Sequence, residues 1–151
     1  MKIVLATDHA GYLHKEALKK HLLDEGYEVV DMGTNNEESC DYPDFIYPAA
    51  EAVAADPDQV KGVIFGGSGQ GEAMTANRVH GVRATVFYGS VKGSEGEDII
   101  ELSRSHNNAN ILSIGARFVD LEEMKTVVGR WLKTPFSEEE RHVRRIQKID
   151  S

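Results

Sequence analysis

Five short, β-rich apolar runs recur along this chain, and an amphipathic stretch follows each of them. The runs cover 3–7, 28–32, 62–65, 83–88 and 110–114. The stretches at 11–25, 45–55, 72–79 and 97–105 read as helices. In the first of them Leu13, Ala17, Leu18 and Leu22 fall at helical spacing. Gly26 closes that helix, and Asp56-Pro57 breaks the second. Two more helices are expected over 121–132 and 138–149, split by Thr134-Pro135. Strands alternating with helices predict a three-layer α/β/α domain around a five-stranded parallel sheet. Near-continuous apolar strands agree, because helices cover both faces of such a sheet. With 151 residues, no internal repeat and no linker, the expectation is a single domain over 1–151.

Composition removes several functions. There are 25 acidic residues against 17 Lys and Arg, a net charge of -8. So acidic a surface repels a phosphate backbone, which argues against nucleic acid as a partner. The lone cysteine, Cys40, builds neither a disulfide framework nor a Cys-rich zinc site, and it fits a reducing, cytoplasmic setting. No run approaches the ~20 apolar residues of a membrane helix. The start, MKIVLATDHAG, reads as a strand and not as a signal peptide.

In open parallel sheets, ligands sit beyond the carboxyl ends of the strands. That rule points to Asp8-His9, to the glycines of 66–71, to the loop after Tyr88 and to Gly115–Arg117. Gly66, Gly67, Gly69 and Gly71 lie between a strand and a helix. Such a loop permits close ligand approach, and the helix start offers free N–H groups to an anion or oxyanion. The Walker lysine position is Glu72, and the third glycine of a G-x-G-x-x-G pattern also falls on Glu72. Nucleotide binding is therefore the weaker reading. Glu72 is either a favourable first-turn acid or a general base beside an oxyanion site.

Other polar clusters also carry two readings. Asp8 is an N-cap or, with His9, a ligand-facing pair. His106 to Asn110 is a helix end with a turn, or a segment whose histidine moves a proton. Arg141 and Arg145 share one helix face. They belong to a solvated charged helix, or they fork onto a phosphate with Arg117 as a further candidate. His14, His21 and His80 read as structural, and no metal-ligand spacing occurs.

Taken together the motifs resemble the sugar-phosphate isomerase family that holds the B-type ribose-5-phosphate isomerases and the galactose- and allose-phosphate isomerases. The matching segments are ATDHAG (6–11), DYPDF (41–45), GGSGQGEAMTANR (66–78), GVRA (81–84), SRSHNNANILSIGAR (103–117) and RHVRRI (141–146). They run through nearly the whole chain in family order. The resemblance implies a Rossmann-like fold, and an aldose–ketose isomerase that uses no metal or organic cofactor. By resemblance, Asp8 and His9 contact the sugar and Tyr42 lines the pocket. Gly67, Ser68, Gly69, Gln70 and Gly71 surround the reacting end. His106 assists ring opening, and Asn107 binds substrate. Arg117, Arg141, His142 and Arg145 serve the phosphate. It also implies a homodimer or tetramer whose site is shared, with the C-terminal helix (about 138–150) on the neighbouring subunit.

One branch of the family places a cysteine base just before the Gly-Ser/Thr-Gly turn, where this chain has Gly66. Another branch places a glutamate directly after the loop, as Glu72 stands here. The resemblance thus favours Glu72 as the base, with Ser68 and the loop amides at the oxyanion. The expected substrate is a phosphorylated pentose, ribose 5-phosphate. The alternatives are a hexose phosphate of the galactose or allose type, and a non-catalytic sugar-phosphate or nucleotide binder. The loop at 89–97 is longer than in compact members of the family.

Overall fold

The computed structural model describes all 151 residues. Strand β1 (Lys2–Thr7) passes through a 3₁₀ turn (His9–Gly11) into α1 (Tyr12–Asp24). Then come β2 (Glu28–Asp31), α2 (Pro43–Ala55), β3 (Val60–Gly66) and α3 (Gln70–Ala76). The rest is β4 (Ala84–Phe87), α4 (Ile99–Ser105), β5 (Ile111–Gly115), α5 (Leu121–Lys133) and α6 (Glu140–Ile149).

All strands are parallel, in the order β2-β1-β3-β5-β4. The expected five-stranded α/β sheet is present. The chain steps outward from β1 to β2, then returns to lay β3 on the other side of β1. This reversal opens a crevice between the carboxyl ends of β1 and β3. Period-two alternation sends successive side chains to opposite faces. Ile3, Leu5, Val63 and Phe65 pack against α1 and α5, where Leu18, Leu22, Val128 and Trp131 are buried. Val4, Ala6 and Ile64 face α2 through Ile46, Ala49, Ala50 and Val53. In α5 the buried set Met124, Val127, Val128, Trp131 and Leu132 follows the three-and-four spacing of one helix face.

Several element boundaries differ from the sequence expectation. Gln70 and Gly71 are not loop residues: they form the first turn of α3, because Gly69 at φ +76° completes the reversal before them. Helix α4 begins at Ile99 and not at Glu97, since the Asp98 side chain caps it by accepting from the N–H groups of Ile100 and Glu101. Helix α6 begins at Glu140, because Glu138 has φ +57° and lies outside helical geometry. No helix is long and apolar enough to cross a membrane.

Candidate active site

The crevice at the carboxyl edge is built first by Thr7. Its hydroxyl lies 2.8 Å from the Asp8 carbonyl and 3.1 Å from that of Phe65, tying the ends of β1 and β3 together. Asp8 is buried and caps the 3₁₀ turn, its Oδ1 accepting from the Ala10 N–H at 2.9 Å. It is thus an N-cap, with its other oxygen 4.0 Å from His9 Nδ1. The Cys40 N–H donates to that same Nδ1 at 3.3 Å. A neutral His9 therefore carries its proton on Nε2.

The reversal after β3 is three residues long, Gly67-Ser68-Gly69. Ser113 Oγ donates to the Gly69 carbonyl at 2.7 Å from within the sheet. Gly115 is bare because the Ser68 carbonyl stands 2.7 Å from where its Cβ would be. Ser68 is exposed, and its Oγ accepts from the Gln70 N–H at 3.3 Å. The N–H groups of Ser68, Gly69 and Gly71 donate to no main-chain carbonyl, which leaves them for another acceptor. Side chains close over the glycines. The Tyr42 ring lies 2.7 Å from the Cβ position of Gly71, and the Arg117 guanidinium 2.9 Å from that of Gly67.

Glu72, in the first turn of α3, points back at the end of β3 and is only 4% exposed. Its carboxylate fills the volume that a Cβ on Gly66 would occupy. Burial pushes its carboxyl above the ordinary glutamate range. Its own main-chain N–H pulls the other way, and the negative charge of Asp8 adds to the rise. A carboxylate held less acidic than usual, next to undirected N–H donors, is equipped to take a proton beside a developing oxyanion.

His106, Asn107, Arg141, His142 and Arg145 stand elsewhere. Helix α4 runs back along the sheet, so His106 and Asn107 lie at the amino edge, just before β5. There the carbonyls of Asn107 and Asn108 accept from Arg83 Nε, each at 3.2 Å. His142 of α6 stacks on His106 with ring centroids 4.2 Å apart. It is the one buried residue of α6, and its Nε2 has no hydrogen-bond partner. Burial, with the nearby His106, holds its imidazole below the ordinary histidine range. Arg141 and Arg145 are exposed, and Arg141 Nε donates to Glu139 at 2.9 Å. The five residues of β5, about 16 Å at ~3.3 Å per residue, separate this group from the Glu72 crevice.

Thus the chain gathers Asp8, His9, Tyr42, Gly67, Ser68, Gly69, Gln70, Gly71, Glu72 and Arg117 at one edge of the sheet. It gathers His106, Asn107, Arg141, His142 and Arg145 at the other. Sequence reasoning missed Thr7 and Ser113, buried hydroxyls that fasten the crevice from within strands. A polar residue inside an otherwise apolar run was the available signal.

A family model described as Ribose/Galactose Isomerase matches residues 3–149. The ribose-5-phosphate isomerase B of Mycobacterium leprae (strain TN) is 39% identical over 147 residues, 97% of this chain and 86% of the relative. That of Escherichia coli (strain K12) is 36% identical over 148 residues, 98% of this chain and 93% of the relative. The solved structure of the Clostridium thermocellum ribose-5-phosphate isomerase B superposes with a TM-score of 0.88 at 41% identity, covering 99% of this chain and 95% of that one. The Mycoplasma genitalium ribose-5-phosphate isomerase B, solved with bound ribulose 5-phosphate, gives 0.88 at 36% identity over 99% and 93%. With the model spanning nearly the whole sequence and the same fold in its relatives, the chain belongs to the ribose/galactose isomerase family of enzymes.

Proposed function

We propose that this chain interconverts ribose 5-phosphate and ribulose 5-phosphate through an enediolate, with Glu72 as the general base. The observation that carries the reading is the buried, less acidic Glu72 carboxylate beside the unpaired N–H groups of the glycine turn. Relatives named for ribose 5-phosphate, one of them holding ribulose 5-phosphate, support the pentose as substrate.

Asp8 and His106 open the furanose ring: Asp8 accepts the proton of the anomeric hydroxyl, and His106 gives one to the ring oxygen. Glu72 then takes the proton from C2 and returns it to C1, while a hydroxyl proton passes between the two oxygens. The N–H groups of Ser68, Gly69 and Gly71, with the Ser68 hydroxyl, stabilise the enediolate oxygen. Tyr42, His9 and Asn107 hold the sugar. Arg117, Arg141, His142 and Arg145 hold the phosphate. The ring-opening and carbon-to-carbon proton transfers are assigned to side chains, the oxygen-to-oxygen transfer stays within the substrate, and no cofactor enters.

Two groups of residues on opposite edges of one sheet meet when two chains associate. In the proposed homodimer, the His106–Asn107 turn and α6 of one protomer complete the Glu72 crevice of its partner. Replacing Glu72 by Gln should lower turnover of ribose 5-phosphate by ~10²–10⁴-fold. Cys40→Ala should leave most of it, because Cys40 meets His9 only through its main chain. Exchanged outcomes would remove Glu72 as the base. Rates on ribose 5-phosphate, galactose 6-phosphate and allose 6-phosphate decide the sugar, and greater turnover of a hexose phosphate would overturn the pentose reading.

A further inference from the structure

Arg83 lies in the GVRA segment, just before β4, and has no part in the proposed proton transfers or substrate contacts. Its side chain is 12% exposed and makes a three-way junction. Nε donates to the carbonyls of Asn107 and Asn108, each at 3.2 Å. Nη1 donates to the Asp150 carboxylate at 2.6 Å. Its main chain is fixed to the same turn: the Arg83 N–H donates to Asn110 Oδ1 at 2.8 Å, and its carbonyl accepts the Asn110 N–H at 3.1 Å. Asp150 follows α6 directly, and its main-chain oxygen lies 2.6 Å from His80 Nε2. Helix α6 buries only His142, near its start. Its far end is therefore held chiefly through Asp150. A mobile helix cannot keep two arginines at a fixed distance from a turn on another element.

We infer that Arg83 is a positioning residue: it locks the end of α6 to the turn carrying His106 and Asn107, and so sets where Arg141 and Arg145 stand relative to them. This rests on the reading that those arginines hold the substrate phosphate. Lysine at this position keeps the charge but lacks the planar fork that reaches carbonyls and carboxylate together. The second holder of the turn is independent of Arg83. Buried Arg104 donates to Asn108 Oδ1 and the Ala109 carbonyl, at 2.8 and 2.7 Å, so the turn itself persists without the junction.

The test combines steady-state kinetics with amide hydrogen exchange on full-length Arg83→Lys, Asp150→Asn and the double variant. Arg83→Lys should raise KM for ribose 5-phosphate about tenfold and change kcat less than about twofold, the pattern of lost uniform binding. Asp150→Asn should raise KM in the same direction. The double variant should be no worse than Arg83→Lys, since both changes open one contact. Amides of 143–149 should exchange about tenfold faster in each variant, while those of β4 and β5 stay unchanged. Unchanged exchange in α6, or additive KM effects, would overturn the inference. So would a fall in kcat and melting temperature with KM constant. If the unaltered protein isomerises no sugar phosphate, the proposed function fails. The exchange arm then still decides whether the junction holds α6.

Discussion

The carboxylate of Glu72 occupies the space in which a Cβ on Gly66 would stand. Gly66 ends β3 opposite Gly115, and Glu72 is buried there. Gly66→Ala should push Glu72 out of register with its substrate. A displacement of this kind costs ~10²-fold in turnover, and overpacking adds about 1–3 kcal/mol of destabilisation. Gly67→Ala should be milder, because its Cβ would meet the movable end of Arg117. Comparing kcat and urea midpoints of the two variants checks the contrast.

Glu72 also makes stability depend on pH. Folded Glu72 holds its proton more tightly than an unfolded glutamate. Its contribution is therefore lost as pH rises from the ordinary value of 4.5 through the higher folded value. Glu72→Gln removes that loss. Urea unfolding should find the variant more stable than the parent at pH 7, with the advantage shrinking to nothing below about pH 4. The acid limb of kcat/KM should lie above that ordinary value of 4.5. Equal stability of the two proteins at pH 7 would count against an ionisation cost at Glu72.

The proposed sharing of the site between protomers has a direct test in subunit exchange. Glu72→Gln and His106→Ala proteins should each be nearly inactive alone. Mixed and allowed to exchange subunits, they should recover about a quarter of normal turnover, since half the dimers are mixed and each has one intact site. No recovery, despite exchange seen by mass spectrometry, would place both residues in one chain's site.

Away from the crevice, Lys15 is fully buried and lies 2.6 Å from both Asp31 and Glu16. Lys19 joins the same carboxylates at 2.7 Å. Burial alone would raise the Asp31 carboxyl, but the hydrogen bonds from Lys15 and Lys19 outweigh it and hold it low. Its stabilisation is present above the unfolded value of 3.8 and is lost as pH falls through the lower folded value. Asp31→Asn should cost about 2–3 kcal/mol at pH 7 and flatten the acid limb of stability. Lys15→Met should cost less, because Asp31 keeps Lys19 whereas a buried Lys15 without Asp31 keeps only Glu16. Guanidinium unfolding at pH 7 and pH 3 measures both.

The layered fold was legible because its signals are local. Apolar runs at 3–7 and 62–65 became β1 and β3, and the switch between them placed Asp8 beside the glycine turn. The position of Glu72 after that turn was legible too. Its burial against Gly66 was not, because it depends on how β3 meets α3 and β5 in space. The division of the site has a plainer cause. Asp8 and Gly67 follow strands, whereas His106 and Asn107 precede one, so parallel strands send them to opposite edges. Family resemblance gathers both sets into one pocket, and only the strand directions separate them. The Arg83–Asp150 contact joins residues 67 positions apart, beyond any local pattern.

The bare Cβ position at residue 66 also constrains how such a site changes over generations. A lineage carrying Glu72 that first acquires a side chain at 66 passes through an impaired intermediate in which two groups compete for one volume. That intermediate is avoided when the carboxylate at 72 shrinks or turns away before residue 66 grows. On the reverse path it is avoided when residue 66 becomes glycine before a glutamate arrives at 72. Substitution history at these two positions should therefore favour one order, and a library randomised at 66 alone and selected for turnover should be enriched in glycine.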